Sequence, residues 1–159
     1  MHPRASELIE ILDLKPHPEG GYFREVFRSS HWVYPEDGRG RRRAITTIYF
    51  LLVDGGYSRW HRVDSDEVWH YYEGDALELL WIDEEMRRCN RCLLGDVGKG
   101  RFPVRVVPAG CWQSARTTGA YTLVGCTVGP GFEYEDFTLL SGGDEAKIRR
   151  RFPELSRFI

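Results

Sequence analysis

Short segments of strand-like composition fill the chain between Ala44 and Leu139, and their spacing limits the possible fold more than any other feature. The segments are rich in β-branched and aromatic residues, and Gly, Pro or Asp residues separate them. We predict strands at Ala44–Val53, Tyr57–Val63, Glu67–Tyr72, Leu77–Ile82, Arg91–Leu94, Val104–Val107, Gln113–Arg116, Tyr121–Val128 and Glu133–Leu139. This pattern favours an all-β sandwich or jelly-roll barrel over alternating βαβ units.

A short helix is predicted on each side of this β-rich region. Apolar residues recur at helical spacing in Ser6–Leu12, where Ser6 is a suitable N-cap. Alternating residues in Tyr22–Val26 predict an additional strand after this helix. Asp144–Arg151 is predicted to be the second helix, ended by Pro153. Because no linker or repeat divides the chain, we predict a single domain over residues 1–159, with its barrel core at residues 20–140.

The composition excludes several classes of partner. A formal net charge of −2 gives no reason to expect a nucleic acid polymer. The apolar stretch Ile45–Val53 is far shorter than the ~20 residues of a membrane-spanning helix. The first residues lack the apolar segment of a signal peptide, so we expect a cytoplasmic protein that does not bind membranes. The four cysteines are expected to be reduced, and Cys89 and Cys92 form a C-x2-C pair without the second pair of a zinc site.

Two sequence motifs share the spacing of a known metal-binding signature. Gly55, His61, Glu67 and Gly74 fit G-x5-H-x-H-x3-E-x6-G, but Val63 stands where the second histidine is expected. The later motif P-x-G-x2-H also departs from its pattern, because its histidine is replaced by glutamine, Gln113. This signature is that of the cupins, in which the two histidines, the glutamate and the later histidine hold a metal inside a small β-barrel. Half of that ligand set is absent here.

Four ordered blocks make the resemblance more specific. Leu14–Glu25, Ser58–Asp75, Pro108–Ala115 and Leu123–Phe137 together resemble the cupin-5 family, formerly the uncharacterised domain family DUF985. The resemblance implies a double-stranded β-helix, a cupin or jelly-roll barrel, that forms a homodimer. It does not imply a particular activity, because the family has no assigned general activity.

The position of His61 and Glu67 in the signature makes them the centre of the candidate site. Cupin geometry implies that both side chains point into the barrel, and strand alternation then places His70 on the outer face unless a bulge reverses it. We expect no cofactor. The alternative is a divalent metal held by His61, Glu67 and Gln113, although valine cannot coordinate a metal and an amide oxygen is a weak ligand.

Without a metal, His61 and Glu67 are a suitable pair for acid–base chemistry. A carboxylate near an imidazole fixes its tautomer and raises its basicity, so we predict His61 as a general base that Glu67 orients. We predict ligand-binding roles for Arg24, Tyr49, Trp69, Tyr71, Gln113 and Phe132. Metal-free cupins of the deoxysugar-nucleotide epimerase type use a comparable histidine. The leading hypothesis is therefore a cupin that binds a sugar- or nucleotide-like small molecule and acts as an isomerase or epimerase. The alternatives are a non-catalytic ligand-binding cupin and a metal-dependent cupin enzyme.

Two other segments have more than one interpretation. The prolines and glycines of Pro16–Arg24 predict a rigid turn, in which Arg24 either binds a carboxylate or phosphate or pairs with Glu19 to attach the segment to the barrel. His17 is interpreted as structural. Arg41–Arg43 is interpreted as a solvated loop tip, with a contact to a ligand phosphate as the alternative.

Overall fold

The computed structural model describes residues 1–159, apart from the side chain of Arg157, and most of its regular structure is β-strand. The described part of the chain forms fourteen strands: β1 (Lys15–Pro16), β2 (Tyr22–Arg28), β3 (Trp32–Val33), β4 (Arg42–Arg43), β5 (Thr46–Val53), β6 (His61–Val63), β7 (Asp66–Gly74), β8 (Leu77–Ile82), β9 (Cys89–Leu94), β10 (Arg101–Phe102), β11 (Val104–Val107), β12 (Trp112–Thr117), β13 (Tyr121–Gly129) and β14 (Phe137–Leu139). The helices are α1 (Pro3–Ile11) and α2 (Gly142–Arg151), and 3-10 turns lie at Tyr134–Asp136 and Pro153–Phe158.

The strands form two six-stranded sheets and one small hairpin. The first sheet has the order β1-β2-β5-β13-β7-β11, the second has the order β10-β9-β8-β12-β6-β14, and β3 pairs with β4. The pairs are antiparallel except for β9 with β10. Strands far apart in the sequence, such as β5 and β13, are neighbours, as the crossing connections of a jelly roll require. The predicted all-β jelly-roll class with short N- and C-terminal helices is confirmed.

The two sheets enclose the main core, and the two helices cover their outer faces. The core between the sheets contains Phe50 and Trp69 from the first sheet and Leu79 from the second. Leu8 of α1 packs with a separate cluster on the first sheet, and Ile148 of α2 packs with another on the second. Because both outer faces carry a helix, the alternating strand pattern that a one-sided sheet would show is partly lost.

Several predicted boundaries are confirmed and others are wrong. Leu77–Ile82 and Val104–Val107 match β8 and β11. The first helix begins at Pro3, and the imidazole of His2, not Ser6, accepts the capping hydrogen bond from the Arg4 amide at 3.2 Å. Proline suits this first helical position because its missing N–H needs no partner there.

Two predicted strands are shorter than expected because other groups use their backbone hydrogen bonds. Of Tyr57–Val63, only β6 is a strand, since the Ser58 amide donates to Ala115 and the Arg59 amide donates to Glu19. Of Glu133–Leu139, only β14 is a strand, and the preceding residues form a 3-10 turn.

The basic run at residues 41–43 is only partly solvated, so its interpretation as a solvated loop tip is wrong for Arg42. Arg42 is buried, and its guanidinium donates two hydrogen bonds of 2.7 Å to the carboxylate of Asp136. The guanidinium carbons of Arg41 and Arg43 lie 4.2 and 3.8 Å from the ring centroid of Trp32. The hairpin of β3 and β4 is therefore tied to the 3-10 turn by a buried ion pair.

Gly74, the last residue of the signature, occupies a position where any other residue would be strained. Its φ is +101°, and a Cβ atom added there would collide with the carbonyl oxygen of Tyr121. Gly55, the first residue of the signature, has a φ of +68°, and no described heavy atom lies within 4 Å of a Cβ added there.

We expect Gly74→Ala to lower the free energy of unfolding by about 3 kcal/mol, because backbone strain and the collision with Tyr121 add together. Gly55→Ala is the matched control and should cost only about 1 kcal/mol, the cost of a left-handed residue. Urea denaturation of both variants measures the difference. Equal losses in the two variants would contradict this explanation of Gly74.

Neither helix described by the structure has the length and apolar character that a membrane span requires. The side chains of Cys89, Cys92, Cys111 and Cys126 are free thiols.

Candidate functional site

A cavity of about 330 Å³ opens between the two sheets, and its wall is mostly aromatic and aliphatic. It lies beside β2, β5, β6, β7 and β13, and the segment 132–137 closes one side. The apolar part of the wall consists of Phe23, Ile48, Phe50, Val63, Val128, Phe132 and Phe137. An apolar cavity of this kind with a few polar groups is the usual form of a small-molecule site.

His61 is held at the wall in a defined tautomer. Its Nδ1 lies 2.8 Å from the carbonyl oxygen of Arg59 and 3.2 Å from Oε2 of Glu19. Because a carbonyl oxygen only accepts hydrogen bonds, Nδ1 carries the proton and Nε2 has a free lone pair. The ring packs at 5.4 Å between centroids against Phe137. Burial lowers the pKa of His61 to about 4, so the imidazole is neutral at neutral pH.

Glu67 is the second polar group of the wall, and a chain of hydrogen bonds fixes it from behind. The side-chain nitrogen of Gln113 donates to Oε2 of Glu67 at 2.5 Å, and the indole N–H of Trp69 donates to Oε1 of Gln113 at 3.1 Å. All three side chains are buried. Burial raises the pKa of Glu67 to about 7, although the hydrogen bond from Gln113 acts in the opposite direction.

The turn before β2 contributes two further polar residues, His17 and Glu19. Both side chains are 8 % exposed, and Nδ1 of His17 lies 3.8 Å from Oε2 of Glu19. Burial raises the pKa of Glu19 well above its usual value, and the nearby Glu67 carboxylate raises it further. Burial lowers the pKa of His17 to about 4. The cavity therefore holds two neutral imidazoles and two carboxyl groups that resist ionisation.

Glu67 was expected to orient the imidazole of His61, but other groups lie next to Nδ1 of that ring. The structure gives Nδ1 of His61 the Arg59 carbonyl and the Glu19 carboxyl as neighbours. Sequence reasoning missed His17 and Glu19 as cavity residues, because only the folded turn brings them to β6. The one available signal was a histidine and a glutamate two residues apart in a turn of restricted shape.

The mouth of the cavity carries a second group of charges that sequence reasoning also missed. Arg28 forms a two-point contact with Glu25 at 3.0 and 2.8 Å, and it donates to Glu133 at 2.9 Å and to the Phe132 carbonyl at 3.2 Å. A β-bulge interrupts the pairing of β2 with β5 between Glu25 and Phe27. The bulge turns Phe27 outward and Arg28 toward the cavity, which simple alternation would reverse.

The structure brings some of the predicted ligand-binding residues to the cavity and places others elsewhere. Phe132 lies in the wall, and Trp69 and Gln113 lie directly behind Glu67. Arg24 is exposed, and its guanidinium donates to the Leu12 carbonyl at 3.2 Å rather than into the cavity.

The predicted tyrosines and His70 do not line this cavity. Tyr49 packs against Tyr72, with ring centroids 6.1 Å apart. The hydroxyl of Tyr71 donates to the Gly74 carbonyl at 2.6 Å. His70 is half-buried, and the irregularity in the pairing of β7 with β13 lies beyond it, at Tyr72.

The residues at the signature positions do not fit a cupin metal centre. Val63 has no donor atom, and the Gln113 amide is already used, since its oxygen accepts from Trp69 and its nitrogen donates to Glu67. Among the described side chains, no cluster of three or more His, Cys, Asp or Glu has an arrangement that could hold a metal ion.

The fold and the chamber between its sheets define the chain as a cupin-type jelly-roll barrel. The family model "Cupin superfamily (DUF985)" matches residues 6–140, and the chain belongs to this family.

The chain is similar to proteins from three other organisms. A hypothetical protein from Leishmania major is 37 % identical, with a TM-score of 0.84 over 94 % of this chain and 93 % of that one. A protein from Shewanella oneidensis is 33 % identical, with a TM-score of 0.82 over 96 % of this chain and 92 % of that one. An uncharacterised protein from Saccharomyces cerevisiae is 28 % identical over 89 % of this chain and 77 % of its own length. Their descriptions assign no ligand or activity.

Proposed function

We propose that the protein binds a compact, sugar-like small molecule in this cavity and catalyses a metal-independent proton transfer of the isomerase or epimerase type. The observation that carries the proposal is the pairing, in one apolar chamber, of a neutral imidazole with a free Nε2 and a carboxyl group whose pKa is about 7. A group with a pKa near the working pH exchanges protons most effectively. The volume of about 330 Å³ suits a sugar ring, so the nucleotide part of a nucleotide sugar would lie outside.

The proposed reaction moves a proton at a carbon next to a carbonyl group. Nε2 of His61 takes the proton, and the electrons of the broken C–H bond form an enolate on the substrate. The protonated carboxyl of Glu67 then returns a proton to carbon, which gives the epimer, or to oxygen, which leads to the isomer. Proton transfer from His61 to Glu67 through solvent restores both groups. Glu19 and the Arg59 carbonyl would act as positioning groups by holding the His61 tautomer.

A ligand-binding cupin without catalysis is the second candidate, and one observation favours it. The pKa of His61, lowered to about 4 by burial, makes this imidazole a weak base. A ligand would then be bound by the aromatic wall and the buried carboxyl groups, with no turnover.

Solvent isotope exchange distinguishes the two candidates. The protein would be incubated in D₂O with a panel of aldoses and ketoses, and proton NMR would follow the C–H signal next to the carbonyl. We expect deuterium incorporation by the wild type, slowed at least about 100-fold in His61→Gln and in Glu67→Gln. The exposed Glu36→Gln, which replaces a carboxyl by an amide as Glu67→Gln does, should keep the wild-type rate.

Three outcomes would replace this proposal with another. Binding without exchange would favour the non-catalytic module, and exchange that survives in both cavity variants would exclude the proposed roles. A native mass spectrum of the purified protein showing a stoichiometric metal that His61→Ala removes would favour a metal-dependent enzyme. The same spectrum reports whether the protein is the homodimer that the family resemblance implies.

A further inference from the structure

We propose that the ligand of this cavity is a cation, with a protonated amine or quaternary ammonium group on a compact body. This inference rests on ligand binding in the proposed cavity, but it does not depend on catalysis there. It follows from the rings, the charges and the hydrogen-bond donors that line the chamber.

Three aromatic residues that line the cavity, Phe132, Tyr134 and Phe137, pack against one another. The centroids of Phe132 and Tyr134 lie 5.2 Å apart with their planes at 81°, and those of Tyr134 and Phe137 lie 6.3 Å apart at 83°. Phe132 and Phe137 are 5.9 Å apart at 65°. Because these rings are steeply inclined to one another, they form a corner instead of a flat stack. The negative faces of such rings stabilise an ammonium group within about 6 Å.

The charges at the mouth of the cavity also favour a cationic ligand. Glu25, Arg28 and Glu133 are partly exposed, with side chains 41, 32 and 40 % exposed, and they carry two carboxylates against one guanidinium. The net formal charge of the three is therefore −1. A cation approaching the cavity is attracted by this excess, and an anion is repelled.

Arg28 has little capacity left to bind an anion. Its Nε and Nη2 both donate to Glu25, Nη2 also donates to the Phe132 carbonyl, and Nη1 donates to Glu133. Four of the five guanidinium N–H groups are used in these contacts. A phosphate or carboxylate needs paired donors of this kind, so it would have to displace a glutamate that already occupies them.

The interior of the cavity contains no compensating positive charge among the described residues that line it. Its charged or titratable oxygens belong to Glu19 and Glu67, and the imidazoles of His17 and His61 are neutral near pH 7 because burial lowers the pKa of each to about 4. The buried carboxyl groups ionise more readily beside a cation and less readily beside an anion. The interior, the mouth and the rings therefore favour the same ligand charge.

The test uses three probes of the same size that differ in charge: benzylamine, benzyl alcohol and benzoate. Their dissociation constants would be measured at pH 8 by isothermal titration calorimetry or by ligand-observed NMR. We expect benzylamine to bind at least about tenfold more tightly than benzyl alcohol, and benzoate to bind more weakly than both. Benzoate binding as tightly as benzylamine would overturn the inference.

A double variant checks that the preference arises at this cavity. Glu25→Gln combined with Glu133→Gln should reduce the preference for benzylamine over benzyl alcohol at least about threefold, whereas Glu36→Gln should leave it unchanged. Because both changed residues are partly exposed, the variant should fold, and its melting curve verifies this. An unchanged preference in the folded double variant would overturn the inference.

The probe-binding test and the isotope-exchange experiment test two independent hypotheses. A preference for the amine without deuterium exchange would support the cation inference and remove the proposed catalysis. Deuterium exchange on a neutral sugar, together with equal binding of the three probes, would support the proposed catalysis and remove the cation inference.

Discussion

Replacing Glu67 with glutamine is expected to raise the free energy of unfolding at pH 8 by about 3 kcal/mol. Burial raises the pKa of this carboxyl from its usual 4.5 to about 7 in the folded protein. The folded state therefore holds the proton more tightly than the unfolded state does. The contribution of protonated Glu67 to stability is complete below pH 4.5 and is lost as the pH rises through 7. Glutamine has no such proton to lose, and its side-chain oxygen still accepts the hydrogen bond from Gln113.

Urea denaturation of the wild type and Glu67→Gln at pH 4.5 and at pH 8 measures this effect. The two proteins should be similar in stability at pH 4.5, and the variant should be more stable at pH 8. Glu36→Gln, on the surface, should stay within about 0.5 kcal/mol of the wild type at both values. If wild type and Glu67→Gln have the same stability at pH 8, the carboxyl is not desolvated as the cavity geometry requires.

The two cavity histidines make stability depend on pH in the opposite direction to Glu67, and Glu67→Gln makes this dependence measurable. Burial lowers the pKa values of His17 and His61 to about 4, so the folded state binds these protons less tightly than the unfolded state. Their neutral forms contribute stability that is complete above pH 6.5 and is lost as the pH falls through about 4. In the wild type, the carboxyl and imidazole contributions offset each other between pH 4.5 and 6.5. The stability of Glu67→Gln should therefore rise with pH more steeply than that of the wild type over this range.

Replacing Arg42 with methionine is expected to lower the free energy of unfolding by about 3 kcal/mol, because it leaves the Asp136 carboxylate buried without its main partner. The two side chains are 6 and 4 % exposed, and they share two hydrogen bonds of 2.7 Å. Arg39 remains 3.2 Å from the carboxylate, which keeps the loss near the lower limit for a broken buried pair. The hydrogen bond from Arg42 lowers the pKa of Asp136, so the loss should shrink as the pH falls below 3.8.

Chemical denaturation of three variants tests this ion pair. Arg42→Met combined with Asp136→Asn should be less destabilised than Arg42→Met alone, because it leaves no unpaired charge. Arg41→Met, which removes only a contact of 4.2 Å with Trp32, should cost no more than about 1 kcal/mol. A single Arg42→Met variant that is as stable as the double variant would contradict the importance of the pair. Because Asp136 lies in the segment that closes the cavity, Arg42→Met should also weaken binding of benzylamine.

The sequence predicted the class of fold well because that class depends on local features. Strand-forming residues and turn residues alternate at short intervals, and segments such as Leu77–Ile82 have the observed limits. The signature also identified His61 and Glu67, both of which line the cavity. Their catalytic roles stay predictions.

The rest of the candidate site depends on tertiary structure that periodicity does not encode. His17 and Glu19 reach the cavity only because a turn folds against β6, and Arg42 is buried only because Asp136 lies opposite. Arg24 was predicted to bind the ligand, but its side chain points away from the cavity, and the side chains of its neighbours in the chain face it. Alternation fails in the same strand at the bulge before Arg28.

That bulge lets β2 carry one residue more than its partner strand without changing the charges at the mouth of the cavity. Val26 is the residue without a partner, since Phe27 pairs with Thr47 and Arg28 with Thr46. A descendant that lost Val26 would keep these pairs in a regular strand, and Arg28 would still share a face with Glu25. A substitution that removed the bulge without shortening β2 would instead turn Phe27 to the mouth and leave two glutamates without their arginine. In this family, the arginine at the mouth is therefore expected two residues after the glutamate in a regular strand and three residues after it in a bulged one.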